Sequence, residues 1–186
     1  MRYTKWVNDP SKWRSGLSPC EEEIKNFLAT KWSVEKIKED GVPRPDFLIR
    51  ELKATIEVKC INTVPVHNLS EGLLTTNIKD EREWIDKLNL TLEDIVRKDT
   101  VDRDWYMGGI YIDQPQLFFS HYLVLEPGFI EKTDFVSQKI DGLLLYSQMT
   151  SDLSHNRKPI VVLKNKVLRS IFSKAYSSDI EIRLIQ

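Results

Sequence analysis

The sequence predicts an α/β fold with a central mixed sheet flanked by helices, in the order α-β-β-β-α followed by mixed elements. Three observations carry this expectation. A well-signalled helix opens at Ser18, two short β-favouring runs lie a few residues apart at 46–50 and 54–61, and compact apolar runs recur in the second half at 143–146 and 159–163. The 186 residues suffice for one domain. With 41% apolar and 30% charged residues, the chain has enough apolar side chains for a packed core, and wholesale disorder is not expected.

The first sixteen residues hold Trp6 and Trp13 among polar neighbours and read as an irregular arm. Residues 18–150 read as the core of a single domain, and 151–186 as an extension of its sheet. Ser18 is a helix cap: Pro19 takes the first helical position and Glu21 lies three residues after the serine, the capping-box pattern. Cys20, Ile24, Phe27 and Leu28 then follow a helical stripe, and the helix should end near Thr30.

A strand is expected over Trp32–Lys38, with a turn at Glu39-Asp40-Gly41. Asp46–Arg50 and Ala54–Ile61 read as a hairpin. Between Asn62 and Lys79 the pattern weakens into loop. From Asp80, the residues Trp84, Ile85, Leu88, Leu92, Ile95 and Val96 share a helical face, and Thr91 with Asp94 offers a second capping box that would split this into two helices. Ile110–Leu125, with its aromatic run at 117–119, fits helix or strand. Leu143–Tyr146 and Pro159–Leu163 suit buried strands, Lys166–Lys174 a helix, and Ile180–Ile185 a closing strand.

Composition narrows the function classes. The 27 basic and 28 acidic side chains give a formal charge of -1, which excludes a polycation but leaves nucleic-acid binding through a local basic patch. No apolar run approaches the ~20 residues of a membrane-spanning helix, and the N-terminus lacks the apolar stretch of a secretory signal. Two cysteines, Cys20 and Cys60, make neither a disulfide framework nor a four-thiolate zinc site, so a reduced, cytoplasmic setting is expected.

The chemistry lies in Pro45-Asp46 and, ten residues on, Glu57-Val58-Lys59. On a strand, Glu57 and Lys59 point to one face, ~6.6 Å apart from two rises of ~3.3 Å. A two-residue turn at Glu51-Leu52 would set Asp46 opposite Glu57, and a four-residue turn at Glu51–Ala54 would set it opposite Lys59. Both gather the three side chains, whereas a three-residue turn separates them. The turn lacks Gly and Asn, so the four-residue version is expected. Two carboxylates so placed form a hard-oxygen site suited to Mg²⁺ or Mn²⁺, with the Val58 carbonyl as a further oxygen. Lys59 could hold or deprotonate an attacking water, and in-line attack on a phosphodiester is the chemistry these parts fit.

This arrangement resembles the PD-(D/E)xK phosphodiesterase superfamily, on Pro45, Asp46, Glu57 and Lys59. The bare (D/E)xK triplet occurs three times here, at Glu23-Ile24-Lys25, Glu51-Leu52-Lys53 and Glu57-Val58-Lys59. Only the last lies in a β-favouring run at a workable distance after the chain's only Pro-Asp. The resemblance implies a restriction-endonuclease-like αβββαβ core, matched by residues 18 to about 100 and then Leu143–Tyr146. It also implies a further acidic ligand on the first helix, a role that Glu21 fits because it lies beside the apolar stripe while Glu22 projects away. The implied activity is that of a Mg²⁺- or Mn²⁺-dependent nuclease acting on nucleic acid, DNA ahead of RNA. Asp46, Glu57, Val58 and Glu21 would be metal ligands and Lys59 the base or charge stabiliser; a homodimer is left open.

Plainer readings stand beside these. Glu57 and Lys59 could be a solvated strand face or an ion pair worth at most ~1 kcal/mol. Asp46 could be a turn residue and Glu21 only a helix cap. His67, His121 and His155 lack metal-ligand spacing. Trp13 and Trp105, near arginines, could stack on bases, and Lys164, Lys166, Arg169 and Lys174 suit a solvated face or phosphate contact. The rival to the nuclease is a non-catalytic nucleic-acid-binding or assembly module of the same fold.

Overall fold

A computed structural model describes residues 16–38, 40–62, 65–68, 73–76, 81–98, 102–113, 128–147 and 158–185. The chain is α/β, with three helices and a seven-stranded mixed sheet among the described residues. Helix α1 (Pro19–Ala29) starts with a complete capping box. The Glu21 amide donates to Ser18 Oγ at 3.2 Å, and the Ser18 amide donates to Glu21 Oε2 at 2.6 Å. Strands β1 (Val34–Lys36), β2 (Phe47–Ile49) and β3 (Ala54–Asn62) follow, each antiparallel to its predecessor. A separate two-stranded ladder, β4 (Pro65–Asn68) with β5 (Leu73–Thr76), precedes helix α2 (Glu81–Val96). Strand β6 (Trp105–Asp113) lies parallel to β3, and β7 (Gly142–Ser147) parallel to β6. Strand β8 (Ile160–Leu163) runs antiparallel to β7. Helix α3 (Lys166–Tyr176) then leads to β9 (Glu181–Leu184), which is parallel to β8.

The sheet order β1-β2-β3-β6-β7-β8-β9 puts the parallel strands β3, β6 and β7 in the middle. These strands are covered on both faces, which explains their near-continuous apolar runs. On one side, Ile24 and Leu28 of α1 and Leu168, Phe172 and Tyr176 of α3 pack with Ile56, Val58, Met107 and Leu144. On the other, Trp84, Leu88, Leu92 and Ile95 of α2 pack with Ile61, Ile110, Leu143 and Val162. No helix among the described residues is long and apolar enough to cross a membrane.

Several expectations are corrected. The stretch 62–79 is not all loop: among the described residues β4 and β5 form a two-stranded antiparallel ladder apart from the main sheet. Helix α2 does not split at Thr91. That side chain is buried and donates to the Lys87 carbonyl at 2.8 Å within the helix, while Leu88, Leu92 and Ile95 continue one apolar stripe. The β2–β3 turn occupies Arg50–Lys53 rather than Glu51–Ala54. A single 3-10 turn at Arg50–Leu52 ends in Lys53 at φ 46°, so Ile49 pairs with Ala54. The strand after α2 is β6, starting at Trp105, and Leu143–Tyr146 lies one strand further out. Strand β1 is also shorter than Trp32–Lys38. Residues 1–15 with Trp6 and Trp13, the aromatic run 117–119, His121 and His155 lie outside the described residues; His67 stands on β4.

Candidate active site

Strand β3 alternates. Ala54, Ile56 and Val58 enter the core shared with α1 and α3, so Glu57 and Lys59 face the side covered by α2. Phe47 pairs with Ile56, and one step earlier the register aligns Asp46 with Glu57, not with Lys59. Asp46 sits immediately before β2, where the antiparallel ladder opens. Its Oδ2 accepts the Val58 amide at 2.7 Å, and its Oδ1 accepts Lys36 Nζ at 2.7 Å. Lys36, at the end of β1, pairs with Phe47 and also donates to Glu21 Oε1, so one ammonium bridges carboxylates from α1 and from the start of β2. Glu57 Oε1 receives Lys59 Nζ at 2.8 Å. Glu57 Oε2 is buried and accepts no hydrogen bond, in a residue only 2% exposed.

Glu21, Asp46, Glu57, Val58 and Lys59 line one open cleft of about 680 Å³, together with Lys36, Lys38 and Lys98. Glu21 therefore serves two roles at once: Oε2 caps the helix and Oε1 meets Lys36. Val58 contributes its N–H to Asp46, whereas the sequence suggested its carbonyl as a ligand. Lys36 and Lys98 escaped the sequence reading. The signal for Lys36 was its register, opposite the residue after Pro45-Asp46; Lys98 lies two residues beyond the end of α2.

The carboxylates perturb one another. Burial and the neighbouring Asp46 charge push the Glu57 carboxyl up to about 7, against the opposing pull of Lys59 and Lys98. Burial also raises Asp46, although Lys36 and the Val58 amide favour its ionised form. For Glu21, burial is outweighed by hydrogen bonds from Lys36 and Ser18, and its pKa falls. Burial would lower Lys36, but Asp46 and Glu21 more than offset it and hold the ammonium charged.

Among the described residues no group of three or more His, Cys, Asp or Glu side chains gathers closely enough to hold a metal ion. The Lys36 ammonium stands between the Glu21 and Asp46 carboxylates here. The donor chemistry nonetheless fits a hard divalent cation held by two protein carboxylates and completed by water and substrate. Glu57 Oε2 has no partner of its own, and the repulsion between Glu57 and Asp46 is what a cation relieves. Elsewhere, Trp105 is half-buried against the core, Lys164 Nζ donates to the Gln138 carbonyl at 2.6 Å, and Lys166, Arg169 and Lys174 stand exposed on α3. No family model, curated protein or solved structure matches this chain.

Proposed function

We propose that this chain is a divalent-metal-dependent phosphodiesterase of the PD-(D/E)xK type, with a restriction-endonuclease-like core, that cleaves nucleic acid, DNA foremost. The observation that carries the reading is Glu57: buried, with one oxygen unpartnered, aligned with Asp46, and 2.8 Å from Lys59 Nζ. A scaffold has little physical use for two facing carboxylates in a sheet that buries them. The order of α1, three antiparallel strands, α2 and a strand parallel to β3 also follows the core of that superfamily.

Asp46 and Glu57 would hold Mg²⁺ or Mn²⁺, with Glu21 beside them. When bound there, the cation supplies charge neutralisation and Lewis acidity. Lys59 stands at the mouth of the buried carboxylate, where its ammonium can orient water and offset charge gathering on a phosphate. Lys38 and Lys98 line the same cleft and favour a polyanionic substrate although the whole chain is nearly neutral. The rival reading, a binding or assembly module without catalysis, draws on the Lys36 bridge, which already offsets one of the two charges on Glu21 and Asp46.

Circular and linear DNA, and RNA, incubated with the purified chain with and without Mg²⁺ or Mn²⁺ decide between them. Metal-dependent cleavage is expected, and cutting of the circle would mark an endonuclease. Lys59→Ala should lower the rate by at least about 100-fold while leaving Mn²⁺ binding largely intact, as expected for a group that acts on water and phosphate. No cleavage of any substrate would favour the binding module, and full activity in Lys59→Ala would remove its assigned role.

A further inference from the structure

Lys36 occupies the oxygens that a metal at this site needs. Asp46 has one oxygen committed to the Val58 amide, and the other, Oδ1, is held by Lys36 at 2.7 Å. Glu21 repeats the pattern: Oε2 is committed to the Ser18 amide and Oε1 to Lys36. The side chain of Lys36 is 35% exposed, against 13% for each of its two carboxylate partners. Lys36 is thus the most solvent-accessible of the three side chains, and on its flexible four-carbon stem the ammonium can withdraw without disturbing strand pairing. Glu57 Oε2, by contrast, has no partner to lose.

We infer that Lys36 is an exchangeable internal cation: it holds Glu21 and Asp46 together in the metal-free protein and is expelled from Asp46 Oδ1 when a divalent ion binds. This rests on the metal-dependent reading above and adds to it a competitor built into the chain. Two cations sharing one carboxylate oxygen would lie within a few ångströms of each other, and their repulsion in a half-buried cleft disfavours joint occupancy. Metal affinity is therefore set by the difference between the ion and the ammonium, not by the carboxylates alone.

Titration of the full chain with Mn²⁺ by calorimetry tests this. Lys36→Met should bind Mn²⁺ more tightly than the parent by about tenfold, the scale of a typical coupling between sites. Lys36→Arg keeps the charge and should not tighten binding. Unchanged or weaker affinity in Lys36→Met overturns the inference. A second measurement needs no variant: amine-reactive labelling of the parent, followed by mass spectrometry, should show Lys36 modified faster with Mn²⁺ than without it, and equal rates overturn the inference. Tighter binding in Lys36→Met without cleavage of any nucleic acid would keep the exchange and sink the nuclease reading. Absence of Mn²⁺ binding in both parent and variant would sink both.

Discussion

Glu57 is the residue whose chemistry is most out of line with its type. Its carboxyl, ordinarily near 4.5, is raised to about 7 by burial and by Asp46. The native state therefore holds a proton that the unfolded chain has released, and in the metal-free protein stability falls as pH rises between those values. The penalty is absent below about 4.5, grows through the interval and is complete above about 7. Its size is on the order of 3 kcal/mol. Urea unfolding in chelator at pH 4.5 and pH 8 should show this loss in the parent, and Glu57→Gln should remove most of it. An equal loss in the variant would place the titrating group elsewhere. Glu57 was legible in the sequence because a (D/E)xK triplet in a β-favouring run after Pro45-Asp46 is a local pattern. Lys36 was not, because it is one of many lysines until the β1–β2 register sets it against Phe47, beside Asp46.

At the level of elements, α1 shows how one residue can serve both a helix and a site. Gln can replace Glu in a capping box, so Glu21→Gln should leave the helix capped while removing the charge that meets Lys36. In the proposed nuclease its activity should fall by roughly tenfold at limiting Mg²⁺, the scale of a group supporting a metal ligand, and excess Mg²⁺ should restore part of it. Glu22→Gln, on the exposed side of the same turn, should match the parent. Equal losses in both would assign the effect to the helix end rather than the site. Elements with caps and stripes were read closely: α1 ends one residue before Thr30, α3 starts at Lys166 as expected and runs two residues past Lys174, and β9 lies within 180–185. The ladder of β4 and β5 was missed because each strand spans only four residues, too few for a clear alternation. The β2–β3 register was missed because the turn is a 3-10 turn closed by a left-handed lysine, Lys53, where Gly or Asn would have announced it.

At the scale of the molecule, the near-zero net charge conceals a local pattern: Lys36, Lys38, Lys59 and Lys98 line the cleft that holds Glu21, Asp46 and Glu57. These side chains come from α1, the β1–β2 region, β3 and the end of α2, so only the assembled sheet brings them together. In the unfolded chain Glu21 and Asp46 are 25 residues apart and Asp46 and Glu57 11 apart, with nothing to hold them together as a site. On the proposed metal-dependent reading, a divalent ion would bind the native state alone and stabilise it by about 2.7 kcal/mol at a hundredfold excess over its dissociation constant. For a chain of this size, each kcal/mol moves the midpoint of thermal unfolding by roughly 2–4 °C, so Mn²⁺ should raise it by about 5–10 °C. Asp46→Asn and Glu57→Gln should each lose most of that shift while still unfolding cooperatively, because neither carboxylate belongs to the two apolar core clusters. A shift retained in full by both variants would mean that the ion stabilises the fold from somewhere other than this cleft.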